Sequence, residues 1–230
     1  MSPVGSGTSS DGGAVAPDGS PVTLYRQLPP GPEPDLVHDA IPAGAAVLEL
    51  GCGAGRVTHA LIELGHDVVA VDQSEEMLRT VTGATRVHSD IETLDLDRRF
   101  PAVLLLSFLV DSSAYGQSAA FLDTCRRHVA DDGVVIVQRT SPEWAATVRA
   151  GQSYPWGEFT VEIHSADYTD GLLSVSLEYH NASGATWTHT WRDHVHSDDE
   201  FIQQASARGL HHQRWLDDDH EWALLQPRNR

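Results

Sequence analysis

Two hydrophobic rhythms alternate over much of the chain. Residues 46–50 form a short apolar run of the length of a buried strand. Val57, Ala60, Leu61 and Leu64 then recur at helical spacing, and Gly65 ends that stretch. A second apolar run spans 67–71. Ser74 follows, placed to cap a helix through Glu75, Glu76, Met77 and Leu78 with acidic residues in its first turn. Residues 85–88 and 103–107 read as a third and a fourth strand. Phe121, Leu122, Cys125 and Val129 make another helical stripe, and Asp132-Gly133 predicts a turn into a fifth strand at 134–138. Apolar strands alternating with helices imply a parallel sheet covered on both faces.

The rhythm changes after Arg139. Strand-like runs at 159–168, 172–180 and 186–195 are separated by Asp170-Gly171 and Ser183-Gly184, both hairpin signals. They predict an antiparallel meander, residues 152–196, inserted into the α/β domain. Ser197 and Glu200 then form a capping-box pattern, and Phe201, Ile202 and Ala205 carry a helix that Gly209 stops. Two last strands, at 211–216 and 221–225, flank Asp217-Asp218-Asp219. Residues 1–21, rich in Gly, Ser, Pro and Ala, offer too little apolar surface to offset their ordering entropy, which predicts a disordered tail. The expected organisation is therefore a single domain over 22–230, with structure starting at 22–25 and an extended Pro-rich connection at 28–32.

Composition narrows the function. The net charge of the 230-residue chain is -18, and no Lys occurs in it. An acidic surface repels phosphate backbones and anionic membranes, so neither nucleic acid nor membrane is an expected partner. Without Lys there is no Schiff-base chemistry and no P-loop. Two cysteines, Cys52 and Cys125, predict no disulfide framework, and the absence of a signal-peptide pattern fits a cytoplasmic location. The longest apolar run, 100–110, is too short to span a bilayer.

The most informative stretch is Glu49-Leu50-Gly51-Cys52-Gly53-Ala54-Gly55-Arg56, a strand ending in a Gly-rich turn that opens a helix. Glycine suits a turn of unusual φ that a ligand approaches closely. Asp72 ends the next strand, where a carboxylate can accept from a ribose diol. Arg56 stands where a dinucleotide fingerprint has its third Gly. The turn instead resembles the first motif of class I S-adenosylmethionine-dependent methyltransferases. Val71-Asp72-Gln73-Ser74-Glu75-Glu76-Met77-Leu78 resembles that family's second motif, and Ser89-Asp90-Ile91 its third. Residues 100–107 and 131–136 resemble its fourth strand and the turn into its fifth. The resemblance covers roughly residues 46–140. It implies a Rossmann-like seven-stranded sheet of order 3-2-1-4-5-7-6, S-adenosylmethionine as cofactor and a small-molecule acceptor under the inserted meander. It also implies roles. Gly51, Gly53 and Gly55 would cradle the methionine end, and Glu49 would support its ammonium. Asp72 would hold the ribose, with Gln73 and Met77 against the adenine. Asp90 and the Ile91 amide would pair with the adenine edge, and the Ser107 carbonyl would face the ammonium.

Other residues invite chemistry more weakly. Thirteen histidines include His194-x-His196 and His211-His212, but no third and fourth ligand follows at metal-site spacing, so no metal is expected. Alternation puts Trp187, His189 and Trp191 on one strand face, which makes His189 a candidate general base beside the blander reading of a satisfied core histidine. Tyr25, Arg139, Trp144 and Trp156 are candidates for a substrate pocket. A different class of function, a non-catalytic S-adenosylmethionine-binding sensor or scaffold, uses the same cofactor motifs and needs no base.

Overall fold

The computed structural model describes residues 5–10, 12–114 and 116–228. In chain order it contains strand β1 (Gly5–Ser9), the short helix α1 (Val22–Tyr25) and helix α2 (Glu33–Ala40). Next come β2 (Ala46–Leu50), α3 (Arg56–Glu63), β3 (Asp67–Asp72), α4 (Glu75–Leu78), β4 (Thr85–His88) and β5 (Phe100–Leu105). A 3-10 turn (Leu109–Asp111), α5 (Gln117–His128), β6 (Val129–Gln138) and α6 (Pro142–Thr147) lead to the second sheet. Its strands are β7 (Ser153–Trp156), β8 (Phe159–Thr169), β9 (Leu172–Asn181) and β10 (Thr186–His194). Helix α7 (Asp198–Ala207) and strands β11 (Leu210–Trp215) and β12 (Trp222–Pro227) close the chain.

The larger sheet runs β4-β3-β2-β5-β6-β12-β11. Its first five strands are parallel, β12 runs antiparallel to β6, and β11 runs antiparallel to β12. This is the expected order 3-2-1-4-5-7-6. Alternation along the strands divides its core. Leu48, Leu50, Val69, Val71, Val103 and Leu105 pack on the face covered by α5 and α7. Val47, Val68, Ala70, Ala102 and Leu104 pack on the other face, with Val57 and Leu61 of α3 and Val37 of α2. Burying each such Val or Leu contributes about 1.5–3 kcal/mol. No helix among the described residues is long and apolar enough to cross a membrane.

Three features differ from the sequence expectation. Residues 1–21 are not a free tail over their described part. Strand β1 pairs antiparallel with β10, from Gly5 against Trp191 to Ser9 against Trp187. Ala16 is buried, and Val15 bridges Pro21. Backbone pairing with an edge strand needs no large side chains, so composition could not reveal it. Glycine even helps here, since a Cβ on Gly7 would lie 2.1 Å from the Gly19 carbonyl oxygen. Second, the turn expected at Asp132-Gly133 lies within β6, which spans Val129–Gln138, and the pairing with β5 jumps there, from Phe100 against Val129 to Ala102 against Val134. A Cβ on Gly133 would lie 2.8 Å from the Pro101 carbonyl oxygen, so this glycine serves close strand approach. Third, helix α2, which begins directly after the Pro-rich connection, was not expected.

The second sheet has the order β1-β10-β9-β8-β7. The meander thus has four strands and gains a fifth from the N-terminal segment. Asp170 and Gly171 both take positive φ, 52° and 78°, which suits the tight β8–β9 hairpin. The sheet's apolar face, with Val161, Val175, Leu177 and Trp187, packs on Leu24, Leu28, Ala145 and Val148.

Candidate active site

The carboxyl end of β2 turns through three glycines of positive φ: Gly51 at 71°, Gly53 at 56° and Gly55 at 88°. Side-chain-bearing residues are strained there. The three serve different ends. A Cβ on Gly51 would lie 2.4 Å from Leu109 Cδ1, so packing demands glycine. A Cβ on Gly53 would meet nothing within 4 Å. The turn therefore presents bare backbone to open space at Gly53, a cradle that a side chain would fill. Asp72 holds the cradle in shape. Its carboxylate accepts from the Gly53 amide at 2.8 Å and from the Ser74 amide at 2.8 Å. A carboxylate has about four lone-pair sites, so two remain for a diol. Burial raises the Asp72 pKa against the lowering effect of those two amides. Glu49 is buried, accepts the Thr58 hydroxyl at 2.5 Å, and is pushed by burial up to about 7. These groups fit the adenosyl and methionine parts of the expected cofactor.

The remaining cofactor candidates divide into floor and rim. Met77 is buried with Ala54, Ala16 and Val22. Ile91 is buried beneath the turn, its Cδ1 3.6 Å from a Cβ placed on Gly51. Gln73 and Asp90 are exposed, and the Gln73 carbonyl meets His88 Nε2 at 2.9 Å. Ser107 and Phe108 both take positive φ, 56° and 61°. Such conformations cost about 1–3 kcal/mol each away from glycine. The turn is held by Gln138, whose Oε1 accepts the Ser107 amide at 2.8 Å while its Nε2 donates to Glu221 at 2.7 Å.

The second sheet brings a different set to the same region. Along β10 the alternation continues from Trp187 through His189 and Trp191 to Asp193. His189 is buried, with Nδ1 3.1 Å from the Tyr25 hydroxyl and its ring 5.2 Å from that of Trp191. Burial lowers the His189 pKa, so the imidazole is neutral near pH 7, and burial pushes Tyr25 up to about 12. Tyr25 packs against the meander core and also against the cluster containing Ala54 and Met77. It thus joins the glycine turn to His189.

Sequence reasoning missed the acid pair beside this face. Asp193 accepts from the Trp191 indole at 2.9 Å and from the Thr140 hydroxyl at 3.2 Å. The Thr140 amide donates to Asp111, which is fully buried, and His196 Nδ1 lies 3.7 Å from the other Asp111 oxygen. Burial first, and then the charge of Asp111, push Asp193 up to about 8. Extending the alternation by one more step past Trp191 would have found Asp193. Asp111 and Thr140 carry no local signal.

Of the pocket candidates, Tyr25 is in place and Trp156 is half-buried, 6.5 Å from the Tyr179 ring. Trp144 is 41% exposed on α6. Arg139 is a correction. It is fully buried, bonds Asp198 at 2.6 Å and the His196 carbonyl, and lies 5.2 Å from each of the Phe201 and Trp215 rings. It secures α7 to the sheet through Nη1 and Nη2, while its Nε is buried without a hydrogen-bond partner. Cys52 is buried, and burial raises its thiol pKa, which fits packing.

Comparison with known proteins agrees with this geometry. Residues 47–133 match the family described as a methyltransferase domain. An uncharacterized methyltransferase of Mycobacterium tuberculosis is 43% identical over 67 residues, 29% of this chain and 28% of that protein. A ubiquinone biosynthesis O-methyltransferase of Rhodopseudomonas palustris is 26% identical over 114 residues, 44% of this chain and 42% of that protein. The matches thus span less than half the length of these curated relatives. In three dimensions the CcbJ methyltransferase from Streptomyces caelestis superposes with a TM-score of 0.74 at 18% identity, covering 90% of this chain and 96% of that one. The sugar N-methyltransferase KedS8 from Streptoalloteichus gives 0.66 at 18% identity, covering 85% of each chain. At these identities the likeness is one of fold.

Proposed function

We infer that this chain is a class I S-adenosylmethionine-dependent methyltransferase that transfers the methyl group of that cofactor to a small-molecule acceptor beneath the meander. One observation carries the reading. Tyr25 packs against the cluster holding Ala54 and Met77 and meets His189 at 3.1 Å, so the cofactor turn and a buried imidazole share one wall.

S-adenosylmethionine supplies an activated methyl group on a sulfonium, so the chain's main task is alignment. Asp72 orients the ribose, the bare backbone at Gly53 admits the cofactor closely, and Glu49 faces the ammonium. His189 is the candidate base. When its Nδ1–H donates to the Tyr25 hydroxyl, Nε2 is free to take a proton from a hydroxyl or ammonium acceptor. The indole of Trp191 shields it from water. The O- and N-methyltransferase names among the relatives and structural neighbours support a small acceptor and leave open which atom is methylated.

The test is incubation of purified protein with metabolite extracts and a methyl-labelled donor. The expected result is S-adenosylhomocysteine together with a labelled small molecule. Binding of the cofactor without turnover in any extract would favour the sensor or scaffold reading instead.

A further inference from the structure

The methionine end of the cofactor is a zwitterion, and both of its charges need partners in a crevice walled by apolar groups. Glu49 is available to the ammonium. The carboxylate needs a cation, and this chain of net charge -18 has no Lys. Near the site, Arg139 is committed to Asp198 and His196. Arg26 reaches the Glu76 carbonyl on the exposed side of α4.

Arg56 is different. It is the first residue of α3, immediately after Gly55. Its side chain is only 12% exposed. Nη1 donates to Glu33 Oε1 at 2.5 Å, and the guanidinium lies 5.4 Å from the Trp156 ring centroid. Among the described residues no other hydrogen bond is made by this guanidinium, so Nε and Nη2 keep a donating edge. Burial raises the pKa of Glu49, Tyr25 and Tyr179, and the positive charge of Arg56 opposes that rise in each. It therefore stands within electrostatic reach of the ammonium partner and of both tyrosines. Glu33 leaves Oε2 buried without a hydrogen-bond partner. Such an incompletely satisfied pair is weak as a stabilising staple, since it desolvates two charges for one good contact. It does hold the guanidinium by one edge in a fixed place.

We propose that Arg56 binds the methionine carboxylate of the cofactor through the edge that Glu33 leaves free, with Glu33 and Trp156 positioning the guanidinium. The proposal rests on the cofactor reading above and adds to it the partner of the cofactor's one carboxylate. A bidentate fork suits this task better than an ammonium.

The test is binding calorimetry with three ligands. S-adenosylhomocysteine carries the carboxylate, decarboxylated S-adenosylhomocysteine lacks only that group, and 5′-methylthioadenosine lacks the whole amino-acid end. Arg56→Ala is expected to weaken S-adenosylhomocysteine ten- to a hundredfold and to leave the other two within about twofold. Arg56→Met, which keeps an apolar stem beside Trp156, should do the same if the alanine variant folds poorly. Arg56→Lys should fall between, again only for the carboxylate-bearing ligand. Equal weakening of all three ligands would mean that Arg56 merely supports the turn, and no weakening would mean that the carboxylate binds elsewhere; either overturns the proposal. Failure of wild-type protein to bind any of the three would overturn the cofactor reading itself.

Discussion

The cofactor half and the meander half of this crevice are built in opposite ways. The cofactor half draws Glu49, the glycine turn, Asp72, Met77 and Ile91 from one short stretch of chain. Its key bonds run between neighbouring strands, as from Asp72 to Gly53. The meander half draws Tyr25, Asp111, Thr140, His189 and Asp193 from segments far apart in sequence. Its contacts form only once the second sheet has docked, as in the Tyr25–His189 pair. The difference teaches that binding and chemistry are separable here. Damage to the first half should cost affinity, and damage to the second should cost turnover or docking.

The severest break of that division is Gly53→Val. Its Cβ meets no protein atom within 4 Å, so a side chain would occupy the open cradle, and a β-branched residue is strained at φ 56°. Affinity for S-adenosylhomocysteine should fall more than about a hundredfold, given how closely a ligand must approach such a turn. Wild-type affinity in calorimetry would remove the cradle. His189→Ala probes the other half. Turnover should drop about a hundredfold, the usual lower worth of a general base, while cofactor affinity stays unchanged. His189→Gln, polar but unable to take the proton, should be equally slow. Normal turnover in both variants would make the residue structural.

Asp72→Ala comes next, at about tenfold to a hundredfold in cofactor affinity, the scale of charged hydrogen bonds lost. It also frees the amides of Gly53 and Ser74, so the melting temperature should fall with it. Unchanged calorimetry would sink the ribose assignment. A subtler probe is the pH dependence of stability. Asp193 stays protonated up to about 8 in the fold, against an ordinary value near 4 for an exposed aspartate. The folded state holds a proton across that window which the unfolded chain has released. Its stabilising contribution is full at low pH and is lost as pH rises from about 4 through about 8. Asp193→Asn should therefore flatten the fall in melting temperature between pH 5 and pH 8. Glu49, raised to about 7 by burial, should leave a residual slope. Identical slopes in variant and wild type would refute the raised pKa of Asp193. The smallest effect expected is from deleting residues 1–10. Loss of β1 exposes β10 as an edge and should lower the melting temperature by a few degrees. An unchanged melting temperature would show that this pairing contributes no stability.

What the chain alone determined was whatever depends on near neighbours. The apolar rhythm of residues 46–138 specified strands buried on both faces and hence a parallel sheet. The glycines at 51, 53 and 55 and the aspartate at 72 specified a cradle, because positive φ and a strand-end carboxylate are local properties. The capping box at Ser197 and Glu200 and the hairpin at Asp170-Gly171 were legible for the same reason. What only tertiary structure decided was which distant groups meet. Nothing local says that Gly5–Ser9 finds β10, because strand pairing uses backbone groups that every residue carries. Nothing local separates Arg139, enclosed by Asp198, Phe201 and Trp215, from Arg56, held by one edge over Trp156. Arg139 directly follows β6 and Arg56 opens α3 after the turn from β2, and their different surroundings come from the distant elements that dock beside them. Asp111 and Asp193 likewise become an acid pair only when the meander docks on the end of β6, where burial and mutual charge act together.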